Sequence, residues 1–179
     1  MSSGTVTDDR GTMKWFDDDG KLHRDGDLPA VVWADGTRWW YQHGHVHRGS
    51  DLPAMMWADG KQVWCQHGKV HRGGGLPAAV YADGGQEWWV NGKCHRDGDL
   101  PAVMRGDGWW AWHYHGKLHR DGDLPAMVRA DKTCEWWVHG VRQTPADRER
   151  TRKALAETLR WSSLRAAFVA AAVSRVCIN

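Results

Sequence analysis

The chain repeats itself every 24 residues, without a gap, and this constrains its fold more than any other property. His-Arg recurs at His23-Arg24, His47-Arg48, His71-Arg72, His95-Arg96 and His119-Arg120. Leu-Pro-Ala begins at Leu28, Leu52, Leu76, Leu100 and Leu124. A glycine returns at Gly20, Gly44, Gly68, Gly92, Gly116 and Gly140, and an aromatic at Phe16, Trp40, Trp64, Trp88, Trp112 and Trp136. Asp-Gly stands at Asp35, Asp59, Asp83 and Asp107 and decays to Asp131-Lys132. A gapless repeat makes its units geometrically equivalent, so like residues should stack in columns along an elongated array.

The turns define one unit. Ala30 to Ala34 reads as a short strand, and Asp35-Gly36 as a two-residue type I′ hairpin turn. Thr37 to Gln42 is the second strand, His43-Gly44 a second tight turn, and His45 to His47 a third strand. Arg48 to Pro53 is the loop into the next unit. In this register Val31 faces Trp40, Val32 faces Trp39 and Trp40 faces His47. The same count pairs Phe16 with His23, Trp64 with His71, Trp88 with His95 and Trp112 with His119. It sets Val31, Met55, Ala79, Val103 and Met127 beside the aromatic column. Val32, Met56, Val80, Met104 and Val128 then share the other face with Tyr41 and Trp89. A one-residue slip would exchange the faces.

The pattern ends near Arg142. Residues 1–12 are polar and read as a flexible segment, 13–143 as the hairpin repeats, and 144–179 as a helical cap. Thr144-Pro145-Ala146-Asp147 has the form of a helix start, with Thr as N-cap and Pro at the first helical position. The tail 145–179 carries seven basic and three acidic residues, net +4, against 17 basic and 19 acidic, net −2, in 1–144. Leu155, Leu159, Ala166, Val169 and Val173 fall on one helical face. Trp161, Leu164 and Phe168 fall on nearly the opposite one, which suggests a break near Ser162-Ser163 or a contact with a second copy of the chain. The total charge of +2 argues against nucleic-acid binding driven by bulk charge. No apolar run approaches the roughly 20 residues of a membrane helix, and no secretory signal is visible.

Fourteen tryptophans and eleven histidines invite ligand chemistry. His43, His45 and His47 alternate along one stretch and are the candidate metal ligands. The five histidines His23, His47, His71, His95 and His119 continue through units without such neighbours, and there the expected role is packing against the aromatic column. Arg24/Asp27, Arg48/Asp51, Arg96/Asp99 and Arg120/Asp123 recur together, with Gly75 replacing the acid in the third copy. This suits a loop-stabilising salt bridge or a column of alternating charge. Cys65, Cys94, Cys134 and Cys177 form no Cys-x-x-Cys pair and read as free thiols. No single unit concentrates acid–base groups, and no cofactor motif is present, so the expectation is no catalytic residue and no cofactor.

Gly-Lys-Leu-His-Arg at Gly20–Arg24 and Gly116–Arg120, with five Leu-Pro-Ala motifs, resembles the MORN-repeat variants, closest to the divergent form common in large DNA viruses of amoebae. The resemblance covers roughly residues 13–143. It implies stacked β-hairpins, a scaffold role through protein partners, and a virion or infected cell as the compartment. Hairpins such as Asp35–Tyr41 also resemble bacterial cell-wall-binding repeats, which hold choline or glucan against aromatic rings. The expectation is therefore a mainly β, twisted, elongated array of stacked hairpins with a C-terminal α-helix. It acts as a non-enzymatic interaction scaffold, with homodimerisation as one form of it. The alternative is an aromatic-lined binder of glycans or quaternary amines.

Overall fold

A computed structural model of the chain describes residues 4–154 and 156–158. The fold is mainly β, and the hairpins stack in sequence order. Twelve short strands form one antiparallel sheet: Gly4–Thr7, Met13–Phe16, and then two strands from each repeat, such as Val31–Val32 and Arg38–Trp39. Each repeat next makes an excursion, a two-stranded hairpin such as Tyr41–Gln42 with His45–Val46, before the Leu-Pro-Ala loop returns the chain to the sheet.

The excursion turns follow the sequence. His43, His67, Asn91, His115 and His139 all take positive φ, each followed by a glycine that does the same. That is the type I′ geometry in which Gln42 pairs with His45. Both amides of the turn then fasten to the preceding excursion. Gly44 N–H donates to the Leu22 carbonyl at 2.8 Å, and the same bond recurs at Gly68, Gly92, Gly116 and Gly140.

The sheet turns differ from the expected ones. Trp33 N–H donates to the Thr37 carbonyl and Gly36 N–H to the Trp33 carbonyl. Only Gly36 of the Asp35-Gly36 pair has positive φ. This is a three-residue loop, a type I turn followed by a left-handed residue in a bulge. The Asp35 carboxylate supports it by accepting the Thr37 amide at 2.8 Å. Lys132 keeps the left-handed bend, at φ 68°, where the glycine has been lost.

The extra loop residue shifts the register by one. Val31 pairs with Trp39 and Val32 with Arg38, in place of Trp40 and Trp39. The faces exchange with it. Cys65, in the Tyr41/Trp89 column, packs with Val63, Ala79 and Met55, and Trp89 packs against Val103, Ala111 and Cys94. The excursions therefore cover the sheet face that carries the Val31 column. Five alanines, Ala30, Ala54, Ala78, Ala102 and Ala126, are wholly buried where each strand enters the sheet.

Two further expectations are corrected. Gly4–Thr7, within the segment read as flexible, is a strand paired with Met13–Phe16, with Gly4 opposite Phe16 and Thr7 opposite Met13. In the first unit the excursion turn has one more residue: Asp17 N–H donates to the Lys21 carbonyl and Gly20 N–H to the Asp17 carbonyl. Phe16 consequently bridges to Leu22, and it is Trp15 that receives the His23 amide.

Compact units divide at Val141/Arg142. In the second unit a helix begins at residue 145 and runs through 158 within the described residues. Its start is a reciprocal cap. Thr144 Oγ1 accepts the Asp147 amide, and Asp147 Oδ2 accepts the Thr144 amide. The stripe with Trp161, Leu164 and Phe168, its counterpart with Leu155 and Leu159, and Cys177 lie outside the described residues. No helix among the described residues is long and apolar enough to cross a membrane.

Candidate functional site

One module is built five times along the repeats. Trp40, Trp64, Trp88 and Trp112 are buried, and Trp15 and Trp136 are partly so. Each indole from Trp40 onward donates its Nε1–H to a loop carbonyl 13 residues earlier: Asp27, Asp51, Gly75, Asp99 and Asp123, at 2.8–3.0 Å. An arginine of the same repeat lies over the ring. Arg48 sits 3.8 Å from the centre of Trp40, Arg72 3.9 Å from Trp64, Arg96 3.6 Å from Trp88 and Arg120 3.9 Å from Trp112. In the first unit Arg24 covers Trp15, so Trp15 and not Phe16 heads the column.

The arginines pair across repeats rather than within them. Arg48 grips Asp27 of the preceding loop with Nε and Nη2, both at 2.8 Å. Arg72 holds Asp51 and Arg120 holds Asp99 in the same two-pronged way. Nη1 of each donates to the proline carbonyl of its own loop. Such forks are the strong form of a charge-assisted hydrogen bond. Asp27, Asp51 and Asp99 are accordingly held below the usual carboxylate range, chiefly by the arginine hydrogen bond. In the fourth repeat the position facing the arginine is Gly75. Arg96 keeps its bond to the Pro101 carbonyl and approaches Met104 Sδ at 3.9 Å.

The histidine column is a second clip. The backbone amide of each excursion turn donates to Nδ1 of the column histidine before it: His43 to His23, His67 to His47, Asn91 to His71, His115 to His95 and His139 to His119. Nδ1 must therefore be unprotonated, and the ring proton sits on Nε2. Nε2 meets Asp25 and Asp97 at 3.0 Å. Imidazoles stack at three of the interfaces, with ring centres 4.1–4.7 Å apart, and at a fourth His47 and His67 meet tilted at 4.8 Å. His43, His45 and His47, the candidate metal ligands, do not converge. His43 Nδ1 meets Asp17 Oδ2 at 2.8 Å, the His47 ring meets that of His67 at a tilt, and the ring of His45 lies against Gly68. No group of three or more His, Cys, Asp or Glu suited to a metal occurs among the described residues.

This geometry fixes the sign of an acid response. The His47 imidazole is held below the ordinary histidine value, first by burial and then by His67. Burial lowers His113 as well, against weaker opposing pulls from Ala111 and Glu87. The unfolded chain therefore binds these protons more readily than the folded one. Their contribution is complete above about pH 6.5 and is lost as pH falls through the lowered native values. The Asp27, Asp51 and Asp99 carboxylates act in a second window. Their contribution stands above the ordinary value of 3.8 and disappears as pH falls through their depressed ones. Urea midpoints from pH 8 to 2.5 should fall in two steps, and His47→Gln should flatten the first. A level profile between pH 7 and 5 would remove the histidine part of this account.

The departures from periodicity gather in the later repeats. Glu87 occupies a column that Trp39, Val63 and Ala111 fill in neighbouring units, yet it is buried. Its carboxylate accepts Tyr81 Oη–H, Trp89 Nε1–H and Arg105 Nη2–H at 2.8–2.9 Å. Arg129 and Glu135 repeat the pair one unit on. Sequence reasoning missed both, although paired polar residues in two apolar columns were a usable signal. Cys65 and Cys94 are buried free thiols, pushed up to about 11 and about 12, chiefly by burial, and so are poor nucleophiles at neutral pH.

On the surface, Leu28, Leu52, Leu76, Leu100 and Leu124 are all 39–48 % exposed. Val90, Tyr114 and Val138, again at 24-residue spacing, are exposed too, where Gln42 and Gln66 stand in earlier repeats. A pocket of about 270 Å³ lies between Leu76 and Leu100, walled by Val90, Trp88, Arg72 and Arg96. One of about 440 Å³ follows between Leu100 and Leu124 beside Tyr114. Among the described residues Trp110 is the one exposed tryptophan. No model of a known protein family matches the chain, and no curated protein matches it.

Proposed function

We propose that the chain is a non-enzymatic repeat scaffold that binds protein partners along its leucine row. One observation carries this reading. Five leucines, placed identically in five repeats, keep a large part of their apolar surface in water. An extended apolar patch with a polar surround is the usual mark of a protein contact. The resemblance of the unit to MORN-repeat variants points the same way, and a second copy of this chain is one partner that the reading admits. The alternative, a binder of glycans or quaternary amines, calls for regularly spaced exposed tryptophans, and among the described residues Trp110 alone does not provide them.

The test uses the full chain and a Leu52→Asp/Leu76→Asp/Leu100→Asp variant as baits in native lysate, with light scattering at micromolar concentration to read self-association. The wild type should retain a stoichiometric protein or form a dimer, and the variant should lose it while its thermal midpoint stays within a few degrees. Equal retention by both baits would remove the leucine row from the proposal. If nothing binds and the chain is monomeric, the scaffold reading fails, and a tryptophan-fluorescence screen of choline and glucans becomes the next step.

A further inference from the structure

We infer that Arg96 is the receptor for a carboxylate supplied by a binding partner, in the place left open by Gly75. The inference rests on the scaffold reading and names the chemistry that the partner brings to it.

The argument comes from comparing like positions. In three neighbouring interfaces an arginine stacked on a buried tryptophan is clamped by an aspartate of the preceding loop: Arg48 by Asp27, Arg72 by Asp51, Arg120 by Asp99. Both prongs of each clamp measure 2.7–2.9 Å. The fourth interface has every other part of this module. Arg96 lies over Trp88, its Nη1 donates to Pro101, and Trp88 Nε1–H donates to the residue-75 carbonyl at 2.8 Å. Only the carboxylate is missing, because residue 75 is glycine. Among the described residues, Arg96 Nε and Nη2, the atoms used for the clamp elsewhere, hold no carboxylate.

Space for one is present. A Cβ at Gly75 would meet no atom within 4 Å, and the same is true at Gly73 and Gly74. The pocket of about 270 Å³ opens there, lined by Gly73–Gly75, Arg72, Arg96, Leu76, Leu100 and Val90 among others. Of its two guanidiniums, Arg72 is engaged by Asp51. The pocket's own carboxylate, Asp97, is turned to His95 Nε2 at 3.0 Å. Burial alone pulls Arg96 below the ordinary arginine value, as expected of a cation that has lost water without gaining a counter-charge.

A half-buried guanidinium with two parallel donors free selects a planar carboxylate held side-on. The apolar rim of Leu76, Val90 and Leu100 selects apolar residues on either side of it. The ligand class is thus an acidic side chain, Asp or Glu, flanked by apolar residues in a protein or peptide. The position also explains why one repeat gives up a contact that its neighbours keep.

The test is an NMR titration of the full chain with N-acetyl-Leu-Glu-Leu-amide, its Leu-Gln-Leu counterpart and inorganic phosphate, following the Trp88 indole N–H and the Arg96 Nε–H. The Glu peptide should shift both signals saturably, and the Gln peptide should bind at least tenfold more weakly. Gly75→Asp restores the internal carboxylate, so it should lower peptide affinity at least tenfold while the thermal midpoint holds or rises. Aspartate already adopts φ of 53–55° at positions 27, 51 and 99, so the backbone accepts it. Arg96→Lys should lose binding as well, since a point charge cannot form the fork. The inference is overturned if the two peptides bind alike, if neither binds, if Gly75→Asp binds as wild type, or if phosphate binds more tightly than the Glu peptide. A lysate partner kept by Gly75→Asp but lost from the leucine variant would end this inference and leave the scaffold reading standing. Peptide binding with no captured partner and a monomeric chain would end the scaffold reading and leave Arg96 as a carboxylate site.

Discussion

Trp88→Ala is expected to lower the unfolding free energy by about 3–5 kcal/mol, the range for truncating a buried aromatic. The side chain is 5 % exposed, so nearly its whole ring leaves water on folding. It also carries connections that alanine cannot replace. Its Nε1–H holds the Gly75 carbonyl of the preceding loop, and its ring supports Arg96. Losing the indole leaves a cavity beneath a half-buried guanidinium and one carbonyl without its donor. Trp88→Phe separates these contributions. It keeps most of the burial, gives up the N–H donor, and should cost about 0.5–1.5 kcal/mol from that bond. Position matters as well. Each repeat bonds mainly to its neighbours, so a break at the fourth unit uncouples the two sides of the array. Urea denaturation followed by far-UV circular dichroism should therefore show a broadened or two-phase transition for the alanine variant. An unchanged midpoint would contradict the connecting role assigned to this ring.

The sequence disclosed the period, the excursion turns and the columns, because each depends on residues at fixed spacing. It did not disclose the sheet register. Asp-Gly suits both a two-residue type I′ turn and the last two positions of a three-residue loop with a left-handed glycine. The choice lies with flanking pairs such as Trp33 and Thr37, which are bonded to each other and carry no distinctive residue. One residue of error then moved Tyr41, Cys65 and Trp89 to the wrong face. The first unit misled for a similar reason. Alignment on Gly20 puts Phe16 in the aromatic column, yet the longer loop Asp18-Asp19-Gly20 hands that place to Trp15.

The arginine–aspartate pairs show a different limit. Arg48 and Asp51 are three residues apart in the chain, whereas Arg48 and Asp27 are separated by 21. In a stacked repeat the preceding loop is the nearer surface, and only the fold reveals this. The consequence is large for the candidate site. Read within a repeat, Gly75 deprives Arg72 of a partner. Read across repeats, it deprives Arg96, and Arg72 is satisfied by Asp51. The structural departure and the pocket then coincide at one position.

Ala78→Leu should also destabilise strongly, though less than the tryptophan truncation, and by the opposite mechanism. Ala78 is wholly buried, its amide donates to the Glu87 carbonyl and its carbonyl accepts the Trp64 amide, both at 2.8 Å. A longer side chain there must displace backbone that is already bonded on both sides. Overpacking of this kind costs about 1–3 kcal/mol, occasionally more. Ala78→Leu/Ala102→Leu should roughly double the loss, because the two alanines share no hydrogen-bond partner: Ala78 bonds Glu87 and Trp64, Ala102 bonds Ala111 and Trp88. Leu76→Ala, two residues earlier in the same Leu-Pro-Ala motif, should change stability by only about 0.5 kcal/mol, since that leucine is 45 % exposed. Thermal unfolding of the three variants side by side measures the contrast. If Leu76→Ala proves as destabilising as Ala78→Leu, the leucine belongs to the core, and the row loses its claim as a contact surface. If the contrast holds, the alanine in each motif is explained by packing, and the exposed leucine beside it is left to be explained by what binds it.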